Sequence, residues 1–255
     1  MTLAKLFQNL DAWRHFPAYR LEPRADPFFS LYIPKAVAER VGVALHDVVI
    51  PELPLRRGTL DRKERDESNP RYSPNASAKV DYALFSADTR QVFLVELKTD
   101  MASRRDKQDA DLEKAKDEKV GFAAIVDGII KIVHASPFEY LPKYVHLLQA
   151  LERLGYVKVP PTVYERAFSD QKRGLTAALK EVENLLLLQR DRAPTTEVLY
   201  VQPKRDENKD QGKQIIDFEQ LAAIAARAAD GIGPIFADHL RRWRTVAGST
   251  PPASM

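Results

Sequence analysis

Three residues carry the strongest chemical signal in this 255-residue chain: Asp81, Glu96 and Lys98. Two carboxylates and an ammonium can hold a hard divalent cation with a positive charge beside it, provided that the backbone brings them together. Strand periodicity supplies the means. Along residues 91–98, Phe93, Val95 and Leu97 point to one face, while Leu94, Glu96 and Lys98 point to the other. Along residues 79–85, Asp81, Ala83 and Phe85 share a face. A hairpin with residues 87–90 in its turn sets Ser86 opposite Gln91, Phe85 opposite Val92, Ala83 opposite Leu94 and Asp81 opposite Glu96. A two-residue turn at Asp88-Thr89 gives the same register. The two carboxylates then face each other with Cβ atoms about 4.5–5.5 Å apart, and Lys98 lies two residues further along the same face.

Like charges directly opposite each other destabilise a sheet, and burying them unpaired among Val80, Tyr82, Leu84, Leu94 and Val95 costs more. Lys98 neutralises one charge only. Mg²⁺ takes oxygen ligands from one or two carboxylates and substrate phosphate, and it answers the remaining repulsion. An acid-x-Lys string also occurs at Asp61-Lys63, Asp117-Lys119, Asp170-Lys172 and Glu207-Lys209, all in polar surroundings. Only Glu96-Leu97-Lys98 ends a run as apolar as VFLVELK. The plain alternative is a strand-end ion pair on a solvated sheet face.

The elements that must position these residues are also legible. Phe29, Ile33, Val37 and Val41 recur every four residues and predict a helix over Ala25–Val41, with Asp26-Pro27 as its N-cap and first position and Gly42 as its stop. Pro34 inside it predicts a kink or a split. Val48–Leu55 reads as a strand whose Pro51 and Pro54 suggest an edge or a bulge. From Arg56 to Ala78 the apolar pattern vanishes into a long charged loop, with a phosphate-reaching arm as the sharper reading. Ser103–Lys119 reads as a charged helix. Residues 120–135 fit a hairpin at Asp127-Gly128 or a helix carrying Phe122, Val126, Ile129, Ile130 and Val133; the helix is preferred because it runs on into Tyr144, Leu147, Leu148, Leu151 and Leu154, capped by Gly155. A helix within Phe168–Leu188, a strand at Thr196–Gln202, a short strand at Gln214–Phe218 and two helices broken around Gly231 and Gly233 follow. The tail after Ala247 is expected to be mobile.

With these elements in hand, the chain resembles the PD-(D/E)XK nuclease superfamily over roughly residues 25–120. The likeness lies in a helix, the strand at Val48–Leu55, VDYALF with Asp81, VFLVELKTD with Glu96 and Lys98, and the helix after it, with TEVLYVQ as a later core strand. It implies an α/β, restriction-endonuclease-like αβββαβ core with a mixed central sheet flanked by helices, and extra helices before the last core strand and at the C-terminus. It further implies that Asp81 and Glu96 bind Mg²⁺ or Mn²⁺, and that Lys98 activates or positions the attacking water. In the RecB-like and lambda-exonuclease-like branch, a glutamine followed four residues later by tyrosine stands on the helix after the lysine strand. Here Gln108 matches and Leu112 departs from that pair. The first-helix acid of the family has two counterparts, Glu22 and Glu39, and Val80 replaces the proline before the first acid.

The resulting expectation is metal-dependent phosphodiester hydrolysis of nucleic acid, DNA before RNA. The alternative is an inactive module of the same fold that binds nucleic acid or a protein partner. One domain is expected over residues 1–247, with a helical insertion at about 120–190 and a tail at 248–255. Absence of cysteine removes disulfides and thiolate chemistry and suits a cytoplasmic protein. Neither a signal-peptide apolar region nor an apolar run near the ~20 residues of a membrane span is present. The net charge of +3 permits a nucleic-acid partner without demanding one. His15, His46, His134, His146 and His239 lack metalloprotease spacing, and no Walker loop, nucleophile elbow or dinucleotide loop occurs.

Overall fold

A computed structural model describes residues 2–16, 20–167, 174–189, 191 and 193–244. In chain order the elements are α1 (Leu3–Trp13), α2 (Glu22–Val41), β1 (Ile50–Arg56), α3 (Arg57–Leu60), β2 (Ser77–Phe85), β3 (Gln91–Leu97), α4 (Asp106–Lys116), α5 (Gly121–Ala135), α6 (Leu141–Arg153), β4 (Val157–Lys158), α7 (Pro161–Ala167), α8 (Leu175–Leu179), β5 (Glu183–Asn184), α9 (Leu185–Leu188), β6 (Thr195–Gln202), β7 (Gln214–Asp217), α10 (Phe218–Ala226) and α11 (Gly233–Trp243). Five strands form one sheet in the order β1-β2-β3-β6-β7. It is mixed, because β1 pairs antiparallel with β2 while β6 and β7 run parallel. β1 is an edge strand, as its two prolines suggest. Its pairing with β2 holds one register on both sides of Glu52, so the left-handed Glu52 (φ 54°) introduces no bulge. No helix among the described residues is long and apolar enough to cross a membrane.

The described residues fall into two compact units. One lies within Met1–Leu45, Val95–Arg105 and Leu199–Met255, and the other within His46–Leu94 and Asp106–Val198. The first is built on α2. Phe29, Ile33 and Val37 are buried along its core stripe, and Gly42 closes it in the left-handed conformation that its lack of a Cβ allows (φ 71°). The helix starts earlier than its proline suggested: Glu22 opens it, Pro23 sits in its first turn, and the Ala25 amide donates to Leu21 O (2.9 Å), so Asp26 is an interior residue and not the cap. Pro34 does not split it. Packing against α10 and β7 holds the helix across the amide that proline cannot donate.

The apolar periodicity of Met1–Phe16 was too sparse to announce α1, which buries only Phe7 and Leu10. It is anchored instead by polar chemistry. The Asp11 carboxylate accepts from Trp243 Nε1 (2.7 Å) and Arg242 Nη1 (3.1 Å) and meets His239 Nδ1 at 2.8 Å, all on α11. The Phe7 ring stacks on His239, with centroids 4.9 Å apart.

In the second unit, α5 is a helix, as its apolar stripe indicated, and it packs on β1 and α3. It ends at Ala135, and Ser136, Pro137 and a 3₁₀ turn at Phe138–Tyr140 separate it from α6. One run was expected, and two helices are found. The charged helix is also shorter than Ser103–Lys119, occupying Asp106–Lys116 behind a 3₁₀ turn at Met101–Ser103. The expected helix within Phe168–Leu188 appears only as α8 and α9, separated by β5, which pairs antiparallel with β4; residues 168–173 lie outside the described residues. The mobile tail expected after Ala247 lies outside them too. β6, β7, α10 and α11 stand where the sequence put them, within a residue or two.

Asp11 gives the first prediction. Burial raises its pKa, but the His239, Trp243 and Arg242 contacts outweigh that effect and leave it below the ordinary carboxylate value. A depressed folded pKa contributes stability that is complete above the unfolded value, about 3.9, and is lost as pH falls through the folded value. Asp11→Ala leaves the fully buried Trp243 indole without this acceptor and should cost about 1–3 kcal/mol in denaturant unfolding at pH 7. The difference between variant and parent should shrink as pH falls below 4; a pH-independent difference would contradict this account.

Candidate functional site

Every residue from Val92 to Thr99 is buried. A strand buried along its length reads as a continuous apolar run, and VFLV does so until Glu96. Glu96 is 0 % exposed and Lys98 6 % exposed. The Lys98 ammonium donates to Glu96 Oε1, while the Lys98 amide donates to Val201 O at 2.8 Å and extends the pairing toward β6. The alternative of an ion pair on a solvated sheet face therefore fails on its main premise, since these charges have left bulk water. Burying an ion pair is rarely favourable in itself.

Asp81 lies half-buried on β2. At the hairpin end the Ser86 amide donates to Gln91 O (3.0 Å), the pair that the four-residue turn requires. Ser86 Oγ takes the Asp88 carboxylate as acceptor and accepts from the Gln91 amide (2.9 Å), which fixes the turn. On the β1 side, the pairs Pro51–Tyr82 and Leu53–Val80 bracket Glu52 level with Asp81. Glu52 is a carboxylate that sequence reasoning missed, because the long connection between β1 and β2 leaves their register unreadable. Its side chain accepts from Lys79 Nζ at 2.7 Å.

The remaining candidate residues have surroundings of their own. Gln108 lies half-buried in the first turn of α4. The buried acid of that helix is Asp111, which accepts from Arg57 Nη1 at 2.9 Å. Glu39 forms a forked pair with Arg227 at the surface (2.8 and 2.9 Å). Glu22 opens α2, where an acid opposes the helix dipole. Among the described residues no group of three or more acid or histidine side chains could hold a metal by itself. That donor set does not suit a cation needing a full protein cage.

A second buried charge cluster shares a unit with Glu96 and Lys98, and sequence reasoning missed it as well. The Arg104 guanidinium donates to Asp210 Oδ1 and to Gln202 Oε1 (3.3 Å), and Gln202 Nε2 donates to Asp210 Oδ2 (2.7 Å). Arg104 and Lys213 both lie over the Tyr200 ring, at 4.8 and 5.1 Å. Burial raises the Asp210 pKa, but the Arg104 bond and the Asp206 amide outweigh it and leave the carboxyl below its ordinary value. Partners 106 residues apart, one of them in a polar loop, leave no periodic trace in a sequence.

No family model matches this chain, and neither a curated protein nor a solved structure does.

The buried pair gives the second prediction. Removing one partner strands the other charge, so Glu96→Ala or Lys98→Ala should each destabilise the metal-free protein by about 3–5 kcal/mol. Glu96→Gln combined with Lys98→Met should recover much of that loss. Additive single and double effects in denaturant unfolding would mean that the two charges do not depend on each other.

Proposed function

We propose that this protein is a metal-dependent nuclease of the restriction-endonuclease-like α/β type, acting on nucleic acid and on DNA first. The observation that carries the reading is the fully buried Glu96 carboxylate paired with Lys98 at the end of β3. Support also comes from the order of elements: α2, then β1, the one-turn α3, β2 and β3, then α4, with β6 taking its place beside β3. Asp81 enters through the hairpin arithmetic of the sequence, which pairs residue 81 with residue 96 and whose turn end agrees with the Ser86–Gln91 bond.

In this reading Asp81 and Glu96 hold Mg²⁺ or Mn²⁺. The bound ion would supply Lewis-acid polarisation of a phosphoryl oxygen and a lower pKa for its water. Lys98 keeps a positive charge where the transition state gathers negative charge, and its bond to Glu96 orients the ammonium before substrate arrives. The buried surroundings exclude bulk water, which strengthens each of these interactions. Gln108 is the fourth residue nominated, by its position in the first turn of α4.

The third prediction tests this directly. With Mg²⁺ or Mn²⁺, the purified protein should cleave labelled DNA among a set of linear, circular, single-stranded and RNA substrates, and chelation should stop it. Asp81→Asn, Glu96→Gln and Lys98→Met should each lower the rate by about 10²–10³-fold or more. Gln108→Ala should lower it less. The conservative changes are chosen so that melting curves can show the variants folded. Failure of the parent to cut any of these substrates, or parent-like cleavage by a folded Glu96→Gln protein, would overturn the proposal.

A further inference from the structure

The turn after α3 and the start of α5 enclose a cleft of ≈ 300 Å³. At about 30 Å³ per water, that is space for roughly ten waters, ample for a phosphate group and part of its hydration. Five cationic side chains line it: Arg56, Arg62, Lys63, Lys119 and Lys131. Glu64 and Asp127 are its carboxylates. The five cations outnumber the two lining carboxylates, and Asp66, outside the lining, pairs with Lys63. The lining is thus net positive, which attracts an anion.

The internal pairing of the cleft shows which charges remain for a ligand. Arg56 is buried, grips both oxygens of Glu64, and donates through Nε to Asn75 (2.8 Å). Lys131 lies 3.1 Å from Asp127 and 3.5 Å from Glu64. The Arg56 bond holds the Glu64 carboxyl below its usual range, so it stays ionised and matched. Lys63 is paired with Asp66 (2.8 Å) and lies over the Tyr72 ring. Arg62 and Lys119 have no ion-pair partner among the described residues. Arg62 stands at φ 53°, in the left-handed region that favours glycine, within a turn closed by its own amide bond to Thr59 O (3.2 Å). Lys119 stands one residue before Val120, the N-cap of α5, a 15-residue helix without a side-chain cap, whose positive dipole end adds to the field.

We propose that this cleft is a phosphate-binding site that holds the nucleic-acid strand through its backbone, with Arg62 and Lys119 as the contacting cations and Arg56, pinned by Glu64 and Asn75, as the fixed wall behind them. The inference rests on the nucleic-acid reading above and adds a place where the substrate is gripped independently of hydrolysis. It also narrows the expectation of a phosphate-reaching arm within Arg56–Ala78, because Arg57 is committed to Asp111 and Lys63 to Asp66.

The test is the affinity of the full chain for a labelled 20-base-pair duplex, read by anisotropy with EDTA present across a salt series. Inorganic phosphate serves as a separate competitor. Arg62→Ala with Lys119→Ala should weaken binding at least tenfold at low salt and flatten the plot of log affinity against log salt by about two units, one for each lost phosphate contact. Arg62→Lys should keep the slope, Lys158→Ala outside the cleft should change neither quantity, and melting should match the parent. A parent that binds and cleaves DNA while the double variant binds as it does overturns the cleft and leaves the nuclease reading standing. Binding that is lost in the double variant, in a parent that never cleaves, does the reverse. A parent that binds inorganic phosphate but no nucleic acid overturns the proposal of a strand-holding site.

Discussion

β3 runs through the middle of the sheet with β2 on one side and β6 on the other, and every residue from Val92 to Thr99 is buried. A strand so placed is stable when its side chains are apolar, and five of the six residues from Val92 to Leu97 satisfy that rule. Glu96 breaks it. A lone buried carboxylate is expensive enough that it would take up a proton or rearrange, so the fold depends on the ammonium two residues later. The spacing is what makes the pair possible, because i and i+2 on a strand share a face. Hydrophobic residues of similar volume would cost the fold less at both places, which is why the pair is read as chemistry and not as cement.

How much of this was legible depends on how local the cause is. The helical stripe of Phe29, Ile33 and Val37, the alternation in VFLVELK and the Ser86–Gln91 turn are short-range patterns, and each appears in the structure where it was read. The start of α2 was misread because two prolines, Pro23 and Pro27, each fit a first helical turn, and the buried Ala25 that decides between them carries no distinctive signal. The break between α5 and α6 was passed over because apolar residues resume in phase beyond Pro137. Arg104–Asp210 and Asp11 with the side chains of α11 join residues more than one hundred positions apart, so only the folded chain reveals them. Glu52 fell silent for a related reason: a strand register set across a long connection has no local signature.

Charge is handled in two ways in this protein. Over most of the surface, cations and carboxylates are matched locally, as in Arg227–Glu39, Arg153–Asp47 and Lys114–Asp61. Such pairs contribute little stability, about 0–1 kcal/mol each, but they cancel the far field. The buried pairs work differently. Glu96–Lys98 and Arg104–Asp210 fix side chains in single orientations in the unit that holds the end of β3, and the cleft beside α5 leaves part of its positive charge unmatched. Under the proposed function the two would divide the work: charges held rigid for the chemistry, and charge left over to hold a polyanion.

The central claim is that Asp81 and Glu96 share a divalent cation, and Mn²⁺ reports this most directly, because the free ion loses its sharp paramagnetic resonance when bound. Titrating the substrate-free protein with Mn²⁺ should show saturable loss of that signal. Binding should be reversed by excess Mg²⁺ and abolished in both Asp81→Asn and Glu96→Gln, with both variants still folded by melting. A parent that leaves the Mn²⁺ signal unchanged, or variants that bind the ion as the parent does, would contradict the account.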